Sequence, residues 1–143
     1  PTPCAFRYPR GAFIDEGKYP TSEFTPGKIE ILEDPPLEKL GNSSILFIGY
    51  GNGVGRAIRT AELLEDEVGL IDLRFVKPLD EEALLELSKK YKSWFIFSDS
   101  SKIGGVFSAI LEFLNNHKIK DIFLESFEFE DKYIKHGKTF DIE

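Results

Sequence analysis

From Ser44 to Leu124 short apolar runs alternate with segments whose apolar residues recur at helical spacing, and this alternation restricts the fold more than any other feature of the chain. The first run, Ile45-Leu46-Phe47-Ile48 ending at Gly49, is apolar at every strand position, as a strand covered on both faces of a parallel sheet must be. A helix is predicted over about 54–64, with Val54, Ala57, Ile58, Ala61 and Leu63 or Leu64 on one stripe. The next strand covers 68–73. Asp80 then stands where a helix N-cap belongs, Glu81 and Glu82 suit the positive end of the helix dipole, and Leu84, Leu87 and Tyr91 face inward. A strand at 94–97, a helix carrying Phe107, Ile110, Leu111 and Leu114 after Gly104-Gly105, and a last strand at Ile122-Phe123-Leu124 complete the pattern.

Strands joined through helices pair in parallel by right-handed crossovers, which places the helices on the faces of the sheet. The fold class is therefore α/β: a three-layer α/β/α sandwich around a mostly parallel, five-stranded sheet. The fifth strand comes from upstream, at 28–33, where Ile29 and Ile31 alternate with charged neighbours. No helix separates it from Ile45, so it takes an antiparallel edge position. The rest of the first 43 residues is punctuated by Pro9, Gly11, Gly17, Pro20, Pro26, Gly27, Pro35, Pro36 and Gly41. Such a stretch supports no long helix and reads as a linker wrapped around the short strand.

With 143 residues the chain suffices for one core. A net charge of -7 and the lack of a long basic stretch argue against a nucleic-acid surface, which needs clustered Lys and Arg to neutralise phosphates. Cys4 is the single cysteine and has no metal-ligand spacing around it, which fits a reducing, cytoplasmic compartment. No segment approaches the roughly 20 apolar residues of a membrane span, so no membrane partner is expected. The absence of methionine, position 1 included, leads us to read the chain as a piece of a longer protein.

Several segments invite chemistry. Gly49-Tyr50-Gly51-Asn52-Gly53-Val54-Gly55 joins a strand to a helix, where backbone N–H groups can cradle phosphate, but no frame of it matches G-x-G-x-x-G and no P-loop Lys-Ser/Thr pair follows. A tight strand-to-helix turn explains it better. Ser98-Asp99-Ser100-Ser101-Lys102-Ile103-Gly104-Gly105 offers a second such loop, open to an anion but better explained as a serine helix cap with glycines for close packing. His117 closes a helix and complements its dipole, whereas His136 beside Gly137 ends a loop, where binding groups tend to lie. Neither has an identifiable nucleophile partner. The segment 125–131 alternates acidic residues with Phe127 and Phe129 and reads as a solvated strand face over buried aromatics, in preference to a metal site.

Arg7 and Arg10 flank Tyr8-Pro9, and Gly11 permits the turn needed to bring both side chains to one ligand. A guanidinium holds phosphate through two parallel hydrogen bonds, so either arginine suits an anion clamp; a surface salt bridge is the plain alternative.

The whole set of motifs resembles one family. Ala5-Phe6-Arg7-Tyr8-Pro9-Arg10-Gly11, Gly27-Lys28, Asp72-Leu73-Arg74-Phe75-Val76-Lys77-Pro78-Leu79-Asp80, Gly104-Gly105-Val106-Phe107-Ser108-Ala109-Ile110-Leu111-Glu112 and His136-Gly137 resemble, in this order, the 1-deoxy-D-xylulose-5-phosphate synthases of the transketolase superfamily. The β subunits of 2-oxoacid dehydrogenases and the transketolases are the nearest alternatives. The resemblance implies that 1–26 is the tail of a pyrimidine-binding domain plus a linker, and that 27–143 is a transketolase-like C-terminal domain. It implies an enzyme that joins pyruvate to glyceraldehyde 3-phosphate with loss of carbon dioxide, for isoprenoid, thiamine and pyridoxal supply, using thiamine diphosphate and Mg2+ in a homodimer. Arg10 is then the residue that helps hold the substrate phosphate, with Arg7 a weaker candidate.

The family's Gly-Asp-Gly motif for magnesium and diphosphate is missing here, and its activating glutamate belongs upstream. This chain alone is therefore expected to bind no cofactor, to contain no catalytic residue and to be inactive, its partners being the upstream domains of the same enzyme. Family members usually carry two acidic residues where this chain reads Ser98-Asp99, and they continue beyond the position of Glu143 into a closing helix. Two readings of another class remain: a non-catalytic scaffold or dimerisation module, and a nucleotide-binding module built on 49–55.

Overall fold

The structure, a computed structural model, describes residues 3, 19, 22–40 and 44–134. Its strands are β1 (Glu30–Glu33), β2 (Ile45–Gly49), β3 (Gly69–Asp72), β4 (Ser93–Ser101) and β5 (Phe123–Phe129), and its helices are α1 (Gly53–Glu62), α2 (Glu81–Lys90) and α3 (Val106–Asn116). A single 3-10 turn, Leu37–Lys39, lies between β1 and β2.

The strands form one sheet in the order β1-β3-β2-β4-β5. β2 pairs in parallel with β3 and β4, β4 pairs in parallel with β5, and β1 runs antiparallel along the edge beside β3. This is the predicted five-stranded sheet with its one antiparallel edge. The expected edge strand at 28–33 begins two residues later, because the Ile29 N–H is committed to the Asp80 carboxylate 3.3 Å away instead of to a neighbouring strand.

Alternation along the strands sorts the core into two layers. Leu46, Ile48, Ile71, Trp94 and Ile96 face one side, where Leu84 and Leu87 of α2 and Val106, Ile110, Phe113 and Leu114 of α3 pack on them. Phe47, Leu70 and Phe97 face the other side and meet Ala57 of α1. The fully buried Trp94 donates its indole N–H to the Tyr91 carbonyl at 3.1 Å, so its one polar group stays satisfied inside the core. Burial of side chains this size stabilises the fold by roughly 1.5–3 kcal/mol each.

Two expectations need correction. β4 does not stop at Phe97 but continues to Ser101, where it pairs with Phe129 of an equally extended β5 across an irregularity in register. Of the two aromatics expected beneath the acidic face of 125–131, Phe129 is half-buried but Phe127 is 52% exposed, and Phe123 earlier on β5 is 58% exposed. The rings of Phe123 and Phe127 extend the Phe47–Phe95–Phe97 cluster outward, with Phe127 stacked 4.9 Å from Phe97 and Phe123 5.9 Å from Phe95. Among the described residues α1 is the one helix on that face, and it packs chiefly on β2, β3 and β4.

Candidate functional site

β2 leads through α1 to a neighbour on one side, and β4 leads through α3 to a neighbour on the other, with α1 and α3 on opposite faces. The carboxyl ends of β2 and β4 therefore flank the point where the chain's progress across the sheet reverses, which is where open α/β sheets place ligands. Both glycine-bearing loops singled out from the sequence lie there.

The first of them is explained by packing. A Cβ on Gly53 would sit 1.8 Å from the Phe97 carbonyl oxygen, and one on Gly49 would sit 2.5 Å from the Val54 Cα. These glycines let α1 start directly against β4. Asn52, the N-cap, makes no side-chain capping bond, and its buried Oδ1 has no hydrogen-bond partner. One turn on, Arg56 Nη2 reaches Asp99 Oδ1 at 2.7 Å. The carboxylate in Ser98-Asp99 is thus held by α1.

At the second loop the chain supplies its own anion. Oε1 of Glu128, on β5, accepts the Val106 N–H at 3.2 Å, and Oε2 accepts the Phe107 N–H at 3.2 Å. The Ser98 hydroxyl, fully buried, donates to the same carboxylate at 3.0 Å, and Ser100 makes a further short bond to it. The expected serine cap is half correct, since Ser100 Oγ also accepts from the Val106 N–H at 3.3 Å. The charge that meets the α3 dipole comes from Glu128, which spacing along the sequence does not disclose. Its only signal is a lone glutamate on the face that Leu124 and Ser126 turn inward.

The run 72–80, which carries much of the resemblance, receives the segment entering the domain. Arg74, two residues beyond β3, sits in the left-handed region (φ +53°), and its side chain is only 3% exposed. Its guanidinium pairs with Glu30, donates to the Ser22 hydroxyl at 3.2 Å and the Glu23 carbonyl at 3.3 Å, and lies 4.6 Å over the Phe24 ring. Phe75 meets the same ring edge-on at 5.6 Å. Gly27 (φ +73°) passes Pro78 so closely that a Cβ would lie 3.0 Å from the proline ring. Asp80 accepts from Lys28 Nζ at 3.1 Å and from the Ile29 N–H, while capping α2 through the Ala83 N–H at 3.3 Å as predicted.

The charges of this cluster respond to their surroundings. Burial pushes the Asp72 carboxyl up, against the hydrogen bond it accepts from the Arg74 N–H. The hydrogen bond to Asp80 holds the Lys28 ammonium above its ordinary range. His117, at the C-cap of α3, lies 3.0 Å from Glu81 at the start of α2 and ties the two helices of one layer together. Among the described residues no group of three His, Cys, Asp or Glu side chains comes together to hold a metal ion, and no helix is long and apolar enough to cross a membrane. Arg7, Arg10, Gly11, Cys4 and His136 lie outside the described residues.

Comparison with known proteins bears on the same elements. A family model described as the transketolase C-terminal domain matches residues 37–138. The chain is 58% identical over 137 residues to a 1-deoxy-D-xylulose-5-phosphate synthase of Aliarcobacter butzleri, covering 96% of this chain and 22% of that protein. It is 51% identical over 141 residues to the synthase of the same name from Sulfurimonas denitrificans, covering 99% of this chain and again 22% of the relative. Among solved structures, a split gene transketolase described as an inactive beta4 tetramer shares the fold with a TM-score of 0.65 at 23% identity, over 77% of this chain and 34% of that one. The chain thus spans about a fifth of the length of the curated relatives it matches. It belongs to the transketolase C-terminal domain family.

Proposed function

We propose that this chain forms the C-terminal domain of a thiamine diphosphate-dependent 1-deoxy-D-xylulose-5-phosphate synthase, a transferase that condenses pyruvate with glyceraldehyde 3-phosphate and releases carbon dioxide. The observation that carries this reading is the identity of 51% and 58% to relatives of that name along almost the whole chain. The full-length protein is then a cytoplasmic homodimer that uses Mg2+ with the cofactor and supplies an isoprenoid precursor. Residues 1–26 belong to the end of the preceding pyrimidine-binding domain and its linker, and 27–143 form the domain proper.

We place the cofactor and its magnesium in the upstream part of the full-length enzyme. The described residues bring no metal-binding carboxylate group together, and the sequence has no Gly-Asp-Gly. In the full-length enzyme the cofactor would supply the carbanion chemistry from the upstream domains. What this chain offers the reaction is phosphate recognition. Arg10, with Arg7 in second place, presents a guanidinium to the substrate phosphate; at neutral pH that group stays charged and donates two parallel hydrogen bonds.

At the sheet's carboxyl ends the Arg56–Asp99 pair and the Glu128 cap tie these charged groups to partners within the domain, although Asn52 Oδ1 is left without one. This favours a supporting role for the domain body inside the enzyme. Arg10→Ala in the full-length protein should raise KM for glyceraldehyde 3-phosphate roughly tenfold, the scale of losing one charge-assisted bond pair. An unchanged KM would leave the domain as scaffold alone.

A further inference from the structure

Asn-Gly occurs once in the chain, at Asn52-Gly53, where β2 hands over to α1. In a loose backbone this dipeptide modifies itself. The Gly53 nitrogen attacks the Asn52 side-chain carbonyl carbon, the Cγ–Nδ2 bond breaks, the glycine amide proton leaves with the side-chain nitrogen as ammonia, and a succinimide ring remains. Water then opens the ring. Attack at the side-chain carbonyl leaves an ordinary aspartate, and attack at the main-chain carbonyl leaves an isoaspartate, whose backbone runs through the side chain and is longer by a carbon. Glycine speeds the closure because it has no Cβ to obstruct the approach and visits many backbone conformations.

The native fold withdraws each of these freedoms. Asn52 holds helical angles (φ -61°, ψ -22°), which keep the Gly53 nitrogen out of line with the side-chain carbonyl. The Gly53 N–H is bonded to the Tyr50 carbonyl at 3.1 Å and the Val54 N–H to the Gly51 carbonyl at 3.2 Å, so a swing about Asn52 must break the turn. Gly53 has no room for it either. Even a Cβ there would lie 1.8 Å from the Phe97 carbonyl oxygen, which is itself fixed by the Tyr50 N–H at 3.0 Å. The buried Asn52 Oδ1 has no hydrogen-bond partner among the described residues, so nothing stands ready to stabilise the oxyanion that attack creates.

We propose that Asn52 is a modification site which the native fold closes and unfolding opens, and that isoaspartate at this position bars the return to the native state. The extra backbone carbon falls where α1 starts against β4, in a space that does not hold even a Cβ on Gly53. The ordinary aspartate adds nothing to the backbone and puts its charge at the positive end of the α1 dipole, so a chain carrying that product refolds. Time spent unfolded is thereby converted into permanent loss of the domain, at one identifiable residue.

The test ages the full-length protein at mildly alkaline pH, in native buffer and in guanidinium chloride, then returns both samples to native conditions. Size exclusion separates refolded from misfolded chains, and peptide mapping measures asparagine, aspartate and isoaspartate at position 52 in each fraction. Modification at 52 is expected to run at least about tenfold faster in denaturant than in native buffer, because it must await opening of the turn. Isoaspartate at 52 is expected to be depleted from the refolded fraction by about fivefold or more, the scale set by forcing an extra carbon into a packed site. The aspartate product should distribute as unmodified asparagine does. Equal rates in the two solvents overturn the protection. Isoaspartate shared evenly between the fractions overturns the barrier to refolding, and so does exclusion of the aspartate product to the same degree, since charge and not backbone length would then be responsible.

Discussion

Glu128, on the last strand, accepts the first backbone N–H of α3 at Val106, 3.2 Å away, and its second oxygen takes the N–H of Phe107 at the same distance. A carboxylate from one element thus caps another. Gly105, the N-cap of α3, has no side chain with which to do it. Glu128→Ala should destabilise the domain by about 2–3 kcal/mol, since it strips a charged acceptor from two N–H groups and two serines. Glu128→Gln should cost less than half of that, because one oxygen can still accept. Urea unfolding midpoints of the two variants check the ordering.

Asp80 joins α2 to the entering segment, so its loss removes a cap and a tether together. Asp80→Ala should cost about 1–2 kcal/mol, the range of an N-cap deletion. Lys28→Ala, which removes only the exposed partner of the ion pair, should cost clearly less than Asp80→Ala. Equal losses in a denaturant titration would mean that the ion pair, and not the cap, dominates.

The glycines of the first loop are unequal. Gly53→Ala forces a methyl into the Phe97 carbonyl and should destabilise by at least about 3 kcal/mol, the upper end of overpacking, because backbone blocks it. Gly51→Ala meets open space but has a positive φ of +59°, and should cost about 1–2 kcal/mol. Thermal melts of the two variants separate packing from conformation.

Tyr91 gives the domain an alkaline limit. Burial, then the hydrogen bond it donates to Asp34 at 2.7 Å, pushes its phenol well above the ordinary tyrosine value. The folded state keeps the proton that the unfolded state releases, so this contribution is complete below about pH 10 and falls as pH rises further, by about 1.4 kcal/mol per pH unit. Tyr91→Phe should lower stability by about 1 kcal/mol at neutral pH and flatten the loss above pH 10. Urea midpoints from pH 8 to 11 report both effects; an alkaline slope that persists in the variant would assign it to other groups.

What could be read in advance followed local physics. Asp80-Glu81-Glu82 before an amphipathic stretch identifies a capped helix start without tertiary help, and the structure places the N-cap at Asp80. The antiparallel edge strand was legible because the stretch between Glu33 and Ile45 holds no crossover helix. Ser98-Asp99-Ser100-Ser101 looked like a loop because hydroxyl-rich runs favour turns, yet pairing with β5 draws it into β4. Alternation places Phe127 and Phe129 on one face but carries no information on whether a helix covers it. The Glu128 cap and the Phe24–Arg74 contact each join residues distant in the chain, and no local pattern encodes such a pairing. The arginines chosen from the sequence, Arg7 and Arg10, lie outside the described residues, so their role rests on the resemblance and on the experiment proposed for them.

The most direct test is the reaction itself, run on the full-length polypeptide with pyruvate, glyceraldehyde 3-phosphate, thiamine diphosphate and magnesium, with product mass and carbon dioxide followed together. The account predicts 1-deoxy-D-xylulose 5-phosphate with one carbon dioxide released for each product formed, and turnover only when both substrates are present. Ketol transfer between sugar phosphates without carbon dioxide release, or no turnover with this pair, would contradict it.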